Sequence, residues 1–156
     1  MTPLPLKTSS RWNQQQVEDY LSGSQVPIRV ACMTTNETAN VPLVASHWFT
    51  YNAGLLYCVI HKQSVFCKHL NANPSVGFEI AGDVMPYKGI RGQGVAHFDP
   101  KNTEKLLKAA LQKYRVEPQT KLASFLLGRL PEEVAIAITP RWLTSWDFSD
   151  RMSDIT

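Results

Sequence analysis

The feature that most constrains the fold of this chain is a succession of short strand-like runs joined mainly by turns. Runs rich in β-branched, aromatic and other apolar residues recur from residue 28 onward, and Gly, Asn or Pro bound most of them. Seven runs are predicted to be strands: 28–34, 41–49, 55–60, 75–81, 87–98, 134–139 and 142–148. Because short turns join antiparallel strands, the pattern predicts a mainly β, α+β protein with a closed or partly closed barrel and flanking helices.

Four segments carry helix signals around this predicted sheet. Asn13 is a capping residue for a helix that stops at Gly23, and Ser64 caps a short helix that stops before Pro74. Asp99, followed by a proline, is predicted to start a third helix, and a fourth lies further on. Strands and helices do not alternate regularly, and no Gly-x-Gly-x-x-Gly motif follows the first strand, so a Rossmann fold is not predicted.

Length and composition fit a single domain over residues 1–156. Hydrophobic residues make up 44% of the 156 residues, which is enough for a buried core. Residues 1–10 are predicted to be a flexible leader, and the folded core is predicted to span about 26–148. No apolar stretch reaches the roughly 18–20 residues of a membrane span, and the N-terminus lacks a signal-peptide core. We therefore expect a soluble, cytoplasmic protein without a membrane partner.

Charge and cysteine content narrow the possible partners. The net charge of +3 is small, and no dense Lys/Arg run or nucleic-acid motif is present, so nucleic acid is not an expected partner. Charged residues are only 19% of the chain, which favours an oligomer that hides part of its surface. The odd number of cysteines, three, predicts reduced thiols rather than a disulfide framework. No zinc-type ligand spacing occurs, so no metal site is predicted.

The start of the short helix at Ser64 is the best candidate for an anion site. A helix N-terminus offers free N–H groups and partial positive charge. Lys62 precedes this helix, Lys68 lies one turn into it, and His61 adds a possible donor. Arg29 would reach the same anion if the first and third predicted strands are neighbours. The competing interpretation is an ordinary capped surface helix with solvated lysines and a solvent-facing Arg29.

Other residues admit two interpretations each. Trp48, Trp142 and Trp146 are either platforms for a planar cofactor or packing residues. Glu79 on an apolar strand is predicted to pair with Arg91 or Lys88 on the next strand. No Ser or Cys stands beside a base, so no catalytic side chain is predicted.

Taken in order, these segments resemble the pyridoxamine 5'-phosphate oxidase-like, FMN-binding split-barrel family, over about residues 26–148. The first matching pieces are a strand that begins with an arginine, Arg29 to Thr34, and the end of the third strand, Val59-Ile60. A helix followed by Asn-Pro comes next, with Ser64, Lys68, Leu70, Asn73 and Pro74. The last two are a Gly-x-Ala strand, Gly94-Val95-Ala96, and a terminal segment from Pro140 to Trp146.

The resemblance implies a split β-barrel of six to seven mostly antiparallel strands and a homodimer with FMN at the subunit interface. It implies a flavin-dependent oxidoreductase in which the flavin carries the chemistry, with a small-molecule substrate or electron donor. The residues implied to contact the cofactor are Arg29, Val30, Ala31, Cys32, Met33, Cys58, Val59, Ile60, Lys62, Ser64, Lys68 and Trp142.

The chain departs from the family at the phosphate site. The family's Arg-Lys pair falls on Val65 and Phe66, and the motif that grips pyridoxal phosphate is absent, so pyridoxamine phosphate oxidation is not predicted. The alternative function is a non-catalytic module that holds haem or a deazaflavin, or that stays empty. In the haem case His61 and His69 are candidate axial ligands.

Overall fold

The computed structural model describes residues 3–34 and 41–155, and within them one antiparallel sheet organises the chain. Its strands are β1 (Ile28–Met33), β2 (Pro42–His47), β3 (Thr50–Asn52), β4 (Leu55–His61), β5 (Ser75–Ala81), β6 (Lys88–Phe98) and β7 (Glu133–Asp147). The helices are α1 (Gln14–Gly23), α2 (Val65–Ala72), α3 (Thr103–Lys113) and α4 (Lys121–Gly128), with 3₁₀ turns at Pro100–Asn102 and Leu130–Glu132. The predicted turn at residues 36–40 lies outside the described residues.

The strand order is β2-β1-β5-β6-β7-β4-β3, and each neighbouring pair is antiparallel. Although β2 and β4 are far apart in this order, they contact each other, because the sheet curls round until its two sides approach. Alternate residues along β1, β4 and β5 are buried inside the curl. The predicted mainly β split barrel with flanking helices is confirmed.

Two predicted strand boundaries are wrong, each for a local reason. The run 41–49 ends early, at His47, and a separate short strand, β3, begins at Thr50, because Phe49 between them is fully buried and its backbone N–H bonds to the Tyr114 hydroxyl at 3.2 Å. The two predicted terminal strands are one strand, β7. A register shift between Gln93 and Gly94 accommodates the extra residue Arg141, so the strand continues past Pro140. A Cβ at Gly94 would lie 2.5 Å from the Thr139 carbonyl oxygen, so this close approach requires glycine.

Local capping signals identify most helix starts. Asn13 and Gln16 form the reciprocal capping box of α1, and the Ser64 hydroxyl accepts a bond from the Cys67 N–H at the start of α2. Asp99 precedes a 3₁₀ turn rather than α3 itself, and its carboxylate bonds to the Asn102 amide instead of to a backbone N–H. In the described part of the chain, none of the helices is long and apolar enough to cross a membrane.

Two clusters of apolar side chains stabilise the fold. The main one fills the barrel and includes Ile28, Phe49, Ile138 and Leu143. The smaller one lies between α3, α4 and the outer face of the sheet, around Ala123. Residues 4–7 of the predicted leader are attached to the sheet, since Leu143 exchanges backbone hydrogen bonds with Pro5 and Lys7. The second cluster positions α3 and α4 beside the seam between β2 and β4.

Candidate functional site

An open groove of about 640 Å³ runs along the seam where β2 and β4 approach each other. The ends of these two strands form one wall, the start of α2 closes one end, and the facing sides of α3 and α4 form the other wall. The lining side chains are mostly apolar: Pro27, Ala45, Ser46, His47, Trp48, Val59, Ile60, His61, Ser64, Phe66, Leu107, Ala110, Leu122, Leu126 and Glu133. Four other cavities in the described residues are smaller, at about 200 to 520 Å³.

His47 supplies an unsatisfied polar atom in the groove wall. Its Nε2 is buried and has no hydrogen-bond partner among the described residues. The imidazole packs against the Phe66 ring, with centroids 4.9 Å apart and planes tilted by 51°. Burial lowers the pKa of His47, so the neutral ring is favoured. A buried polar atom without a partner is rare in native proteins, so His47 is a candidate functional residue of this groove.

One end of the groove is polar. The Ser64 hydroxyl donates to the His61 carbonyl oxygen at 2.8 Å and caps α2. His61 lies opposite Glu133 in the β4–β7 ladder, and its Nε2 is 3.7 Å from a Glu132 oxygen. Glu133 lies 3.4 Å from the Arg129 guanidinium, and only 10% of its side chain is exposed. This end therefore combines hydrogen-bond donors with two carboxylates.

The structure does not bring the predicted phosphate cations together. The prediction for Arg29 required β1 and β4 to be neighbours, and this is wrong, because β5, β6 and β7 separate them. The Arg29 guanidinium instead bonds to Asp83 at 3.3 Å and to the Ala81 carbonyl oxygen at 3.1 Å. The Lys62 ammonium donates to the Pro131 carbonyl oxygen at 2.8 Å. Lys68 is exposed on α2 and does not line the groove.

Glu79 does not have its predicted partner. Arg91 is its opposite residue in the β5–β6 ladder, as expected from neighbouring strands. Its ion pair, however, is with Arg29 on the other side of β5, at 3.8 Å. Arg91 lies instead over the Trp146 ring, 5.5 Å from its centroid.

The other residues assigned to the cofactor divide among three places. Val59, Ile60 and Ser64 line the groove. The side chains of Val30, Cys32 and Cys58 lie in the barrel core, while Ala31 and Met33 are half-buried on the other face of β1. Trp142 is held on β7, where its indole N–H bonds to Gln93 and the Lys7 ammonium lies 4.0 Å above its ring.

Full burial raises the pKa of the Cys58 thiol to about 12 and so keeps it protonated. Trp48 does line the groove, but its ring stacks on Tyr114 at 5.0 Å. Trp48 therefore offers a supported aromatic wall.

Sequence reasoning missed the second wall of the groove. Leu107 and Ala110 of α3, and Leu122 and Leu126 of α4, face β2 and β4 across it. The helical spacing of apolar residues in α3 and α4 predicts that these helices pack against the protein. It does not show which side of the sheet they cover. His47 lies in the predicted strand 41–49, but the lack of a partner for its Nε2 among the described residues depends on tertiary packing.

A comparison with models of known protein families finds no match, and no curated protein matches the chain. Solved structures do match. One is an F420 reductase, with 18% identity over 81% of this chain and 94% of that one and a TM-score of 0.63. Another is a putative pyridoxamine 5'-phosphate oxidase from Listeria innocua, with 16% identity, coverage of 84% and 95%, and a TM-score of 0.63.

A third similar structure is HutZ, the haem storage protein from Vibrio cholerae. It shares 13% identity over 86% of this chain and 93% of that one, with a TM-score of 0.64. Sequence identity this low speaks to the fold alone. The chain has the split-barrel fold that the resemblance predicted, shared with pyridoxamine 5'-phosphate oxidase-like, F420-dependent and haem-storing proteins.

Proposed function

We propose that this protein is a flavin-type oxidoreductase that binds the planar ring of its cofactor in the groove between β2, β4, α3 and α4. The observation that carries the proposal is the groove itself, about 640 Å³ of mainly apolar space, with His47, whose Nε2 is buried and unsatisfied, among its lining residues. Such a site is typical of small-molecule and cofactor pockets, in which a few polar groups orient an apolar ligand.

The ring half of a flavin fits these walls. Phe66, Leu107 and Leu126 offer apolar and aromatic surface. The neutral imidazole of His47 would bond to a polar atom at the ring edge and end the unfavourable isolation of its Nε2. A bound flavin would supply the electron transfer, while these side chains would hold the ring, exclude water and fix its orientation.

The phosphate of FMN does not fit as well as the ring. In the part of the chain that the structure describes, no lysine or arginine lines the groove. A dianionic phosphate normally takes several charge-assisted hydrogen bonds. FMN, the cofactor expected from the resemblance, is therefore supported for its ring and not for its phosphate.

A haem-binding module is the second candidate function. Two histidines, His47 and His61, line the groove, and neutral imidazole is the common axial ligand of haem iron. HutZ, which shares this fold, is a haem storage protein. His69, named as a ligand candidate from the sequence, is buried and does not line the groove, so it is not part of this proposal.

We further propose that the protein is a cytoplasmic homodimer with the groove at its interface. Large apolar side chains are exposed on the elements around the groove: Val44 of β2, Val65 of α2, and Leu122 and Phe125 of α4. Exposed apolar groups grouped in this way are typical of a subunit contact. Phe125→Asp should convert a dimer into a monomer in sedimentation velocity, and a monomeric wild-type protein would contradict the proposal.

The test of cofactor binding is the visible absorption spectrum of the purified protein, followed by titration of the colourless form with flavins, a deazaflavin and haemin. Flavin bands with turnover of a reduced nicotinamide would support the oxidoreductase, and a haem band would support the second candidate. Leu122→Trp fills the groove and should weaken binding at least about ten-fold. Ser124→Trp, on the same helix outside the groove, is the matched control. Failure of every compound to bind would refute both functions.

A further inference from the structure

We infer that the groove selects an uncharged flavin-type ligand whose chain ends in hydroxyl groups, as in riboflavin, over its phosphate ester FMN. The inference rests on the proposed function and names the ligand class of the same site. It follows from the charges at the polar end of the groove and from the lining along its length.

One carboxylate, that of Glu133, lines the polar end of the groove, and the exposed carboxylate of Glu132 lies beside it. Glu133 reaches the groove wall with only 10% of its side chain exposed, and Glu132 lies 3.7 Å from the Nε2 of His61. Ionised carboxylates only accept hydrogen bonds, so they suit the hydroxyl donors of a polyol chain. They oppose a phosphate, because like charges at this range repel each other.

The two cations near this end, Arg129 and Lys62, already bind other groups of the protein. The Arg129 guanidinium is shared between Glu132, at 3.6 Å, and Glu133, at 3.4 Å. The Lys62 ammonium is bonded to the Pro131 carbonyl oxygen, and neither cation lines the groove. Neither cation is therefore placed to bind a dianion in the groove. The hydroxyl of Ser64 and the imidazole of His61 complete a surface suited to neutral hydroxyl groups.

The remainder of the groove is suited to an uncharged ring. Val59, Ile60, Phe66, Leu107 and Leu126 are apolar, and His47 is favoured in its neutral form. An apolar wall strengthens any charge repulsion at its end, since less water is present to screen it. The apolar lining and the charge at the polar end therefore both favour an uncharged ligand over FMN.

The test compares the dissociation constants of riboflavin, FMN and lumiflavin for the purified full chain, measured by quenching of flavin fluorescence. We expect riboflavin to bind at least about ten times more tightly than FMN. Lumiflavin, which keeps the ring and has a methyl group in place of the chain, should bind several-fold more weakly than riboflavin if the hydroxyl groups are recognised. Equal binding of lumiflavin and riboflavin would overturn the recognition of hydroxyl groups.

A charge-neutral variant isolates the cause. Glu133→Gln keeps the shape of the side chain and one acceptor oxygen, and it should raise the affinity for FMN relative to that for riboflavin about three- to ten-fold. Asp19→Asn, a carboxylate of α1 outside the groove, is the matched control and should change neither. FMN binding as tight as riboflavin, or FMN retained through purification, would overturn this inference and leave the proposed function standing. If no flavin binds, the flavin function fails, and this inference fails with it.

Discussion

The two long sides of the barrel differ in how completely their polar groups are paired. On the side where the N-terminal segment crosses β7, the hydroxyls of Ser10 and Ser145 lie 2.8 Å apart, and the Trp12 N–H donates to Ser145 at 2.8 Å. On the groove side, the His47 Nε2 is buried without a partner among the described residues. The first region is built for stability, while the second retains an unsatisfied group and exposed apolar surface, which is where function is expected.

The largest predicted difference concerns apolar side chains. Leu143 is 1% exposed on β7 beneath the N-terminal segment, whereas Leu122 is 45% exposed at the groove. Leu143→Ala should lower the free energy of unfolding by about 2–5 kcal/mol through lost burial and a cavity. Leu122→Ala should lower it by about 0.5 kcal/mol or less. Urea denaturation followed by tryptophan fluorescence measures both, and similar losses would break the comparison.

The second prediction concerns the paired polar side. Ser145→Ala removes the acceptor of the Trp12 backbone N–H and one partner of the Ser10 hydroxyl, which also donates to the Trp12 carbonyl oxygen. Because the Trp12 N–H loses its acceptor in a partly buried position, the free energy of unfolding should fall by about 1–3 kcal/mol. Ser124→Ala, an exposed serine on α4, controls for the loss of a hydroxyl. A change below about 0.5 kcal/mol in Ser145→Ala would show that this network does not stabilise the fold.

The third prediction is that His47→Leu, unlike Ser145→Ala, does not lower the free energy of unfolding. Removing an unpaired polar atom from an apolar surrounding leaves the free energy of unfolding unchanged or raises it by up to about 1–2 kcal/mol. The same substitution should weaken flavin binding about five- to ten-fold, because the ring loses its polar contact. The substitution is thus expected to preserve or raise stability while it lowers the affinity for flavin, a trade-off that is common at functional sites. A variant that is both less stable and equally able to bind would contradict this role for His47.

The fourth prediction concerns pH. Burial holds the pKa of His47 below 6.5 in the folded state, so the unfolded state takes up a proton first as the pH falls. The contribution to stability is present above pH 6.5 and is lost as the pH falls through the folded-state pKa. Denaturation of wild type and His47→Leu between pH 7 and pH 5 should show a smaller pH dependence in the variant. Parallel curves would mean that His47 is not the titrating group.

The smallest effect is expected at Lys68. It is exposed on α2 and does not line the groove, so Lys68→Ala should change FMN affinity less than about two-fold. Lys68→Arg, which keeps the charge, is the control. A loss of ten-fold or more in the alanine variant alone would restore the phosphate contact that the family resemblance implies, and it would locate the ligand's charged end outside the groove.

Local sequence signals predict the helices and strands better than they predict the residues of the candidate site. Asn13 and Ser64 cap the predicted helices, because a capping residue acts only on its own first turn. The ion pair of Arg29 with Asp83 joins residues 54 positions apart, and the packing of Leu107 and Leu122 against the seam depends on the curl of the whole sheet. Such contacts leave no periodic pattern in the sequence. The continuity of β7 was missed for a related reason, since Pro140 has the character of a strand end until the extra residue Arg141 is accommodated.

The seam between β2 and β4 closes the barrel without a ladder of its own. Backbone hydrogen bonds link the sheet from β2 to β3 in the strand order, but no ladder joins β2 to β4 in the described residues. Residues 48–49 connect β2 directly to β3, which pairs with β4, so the chain itself holds one end of this seam. A ligand in the groove would therefore lie against the one joint of the barrel that no strand pairing completes.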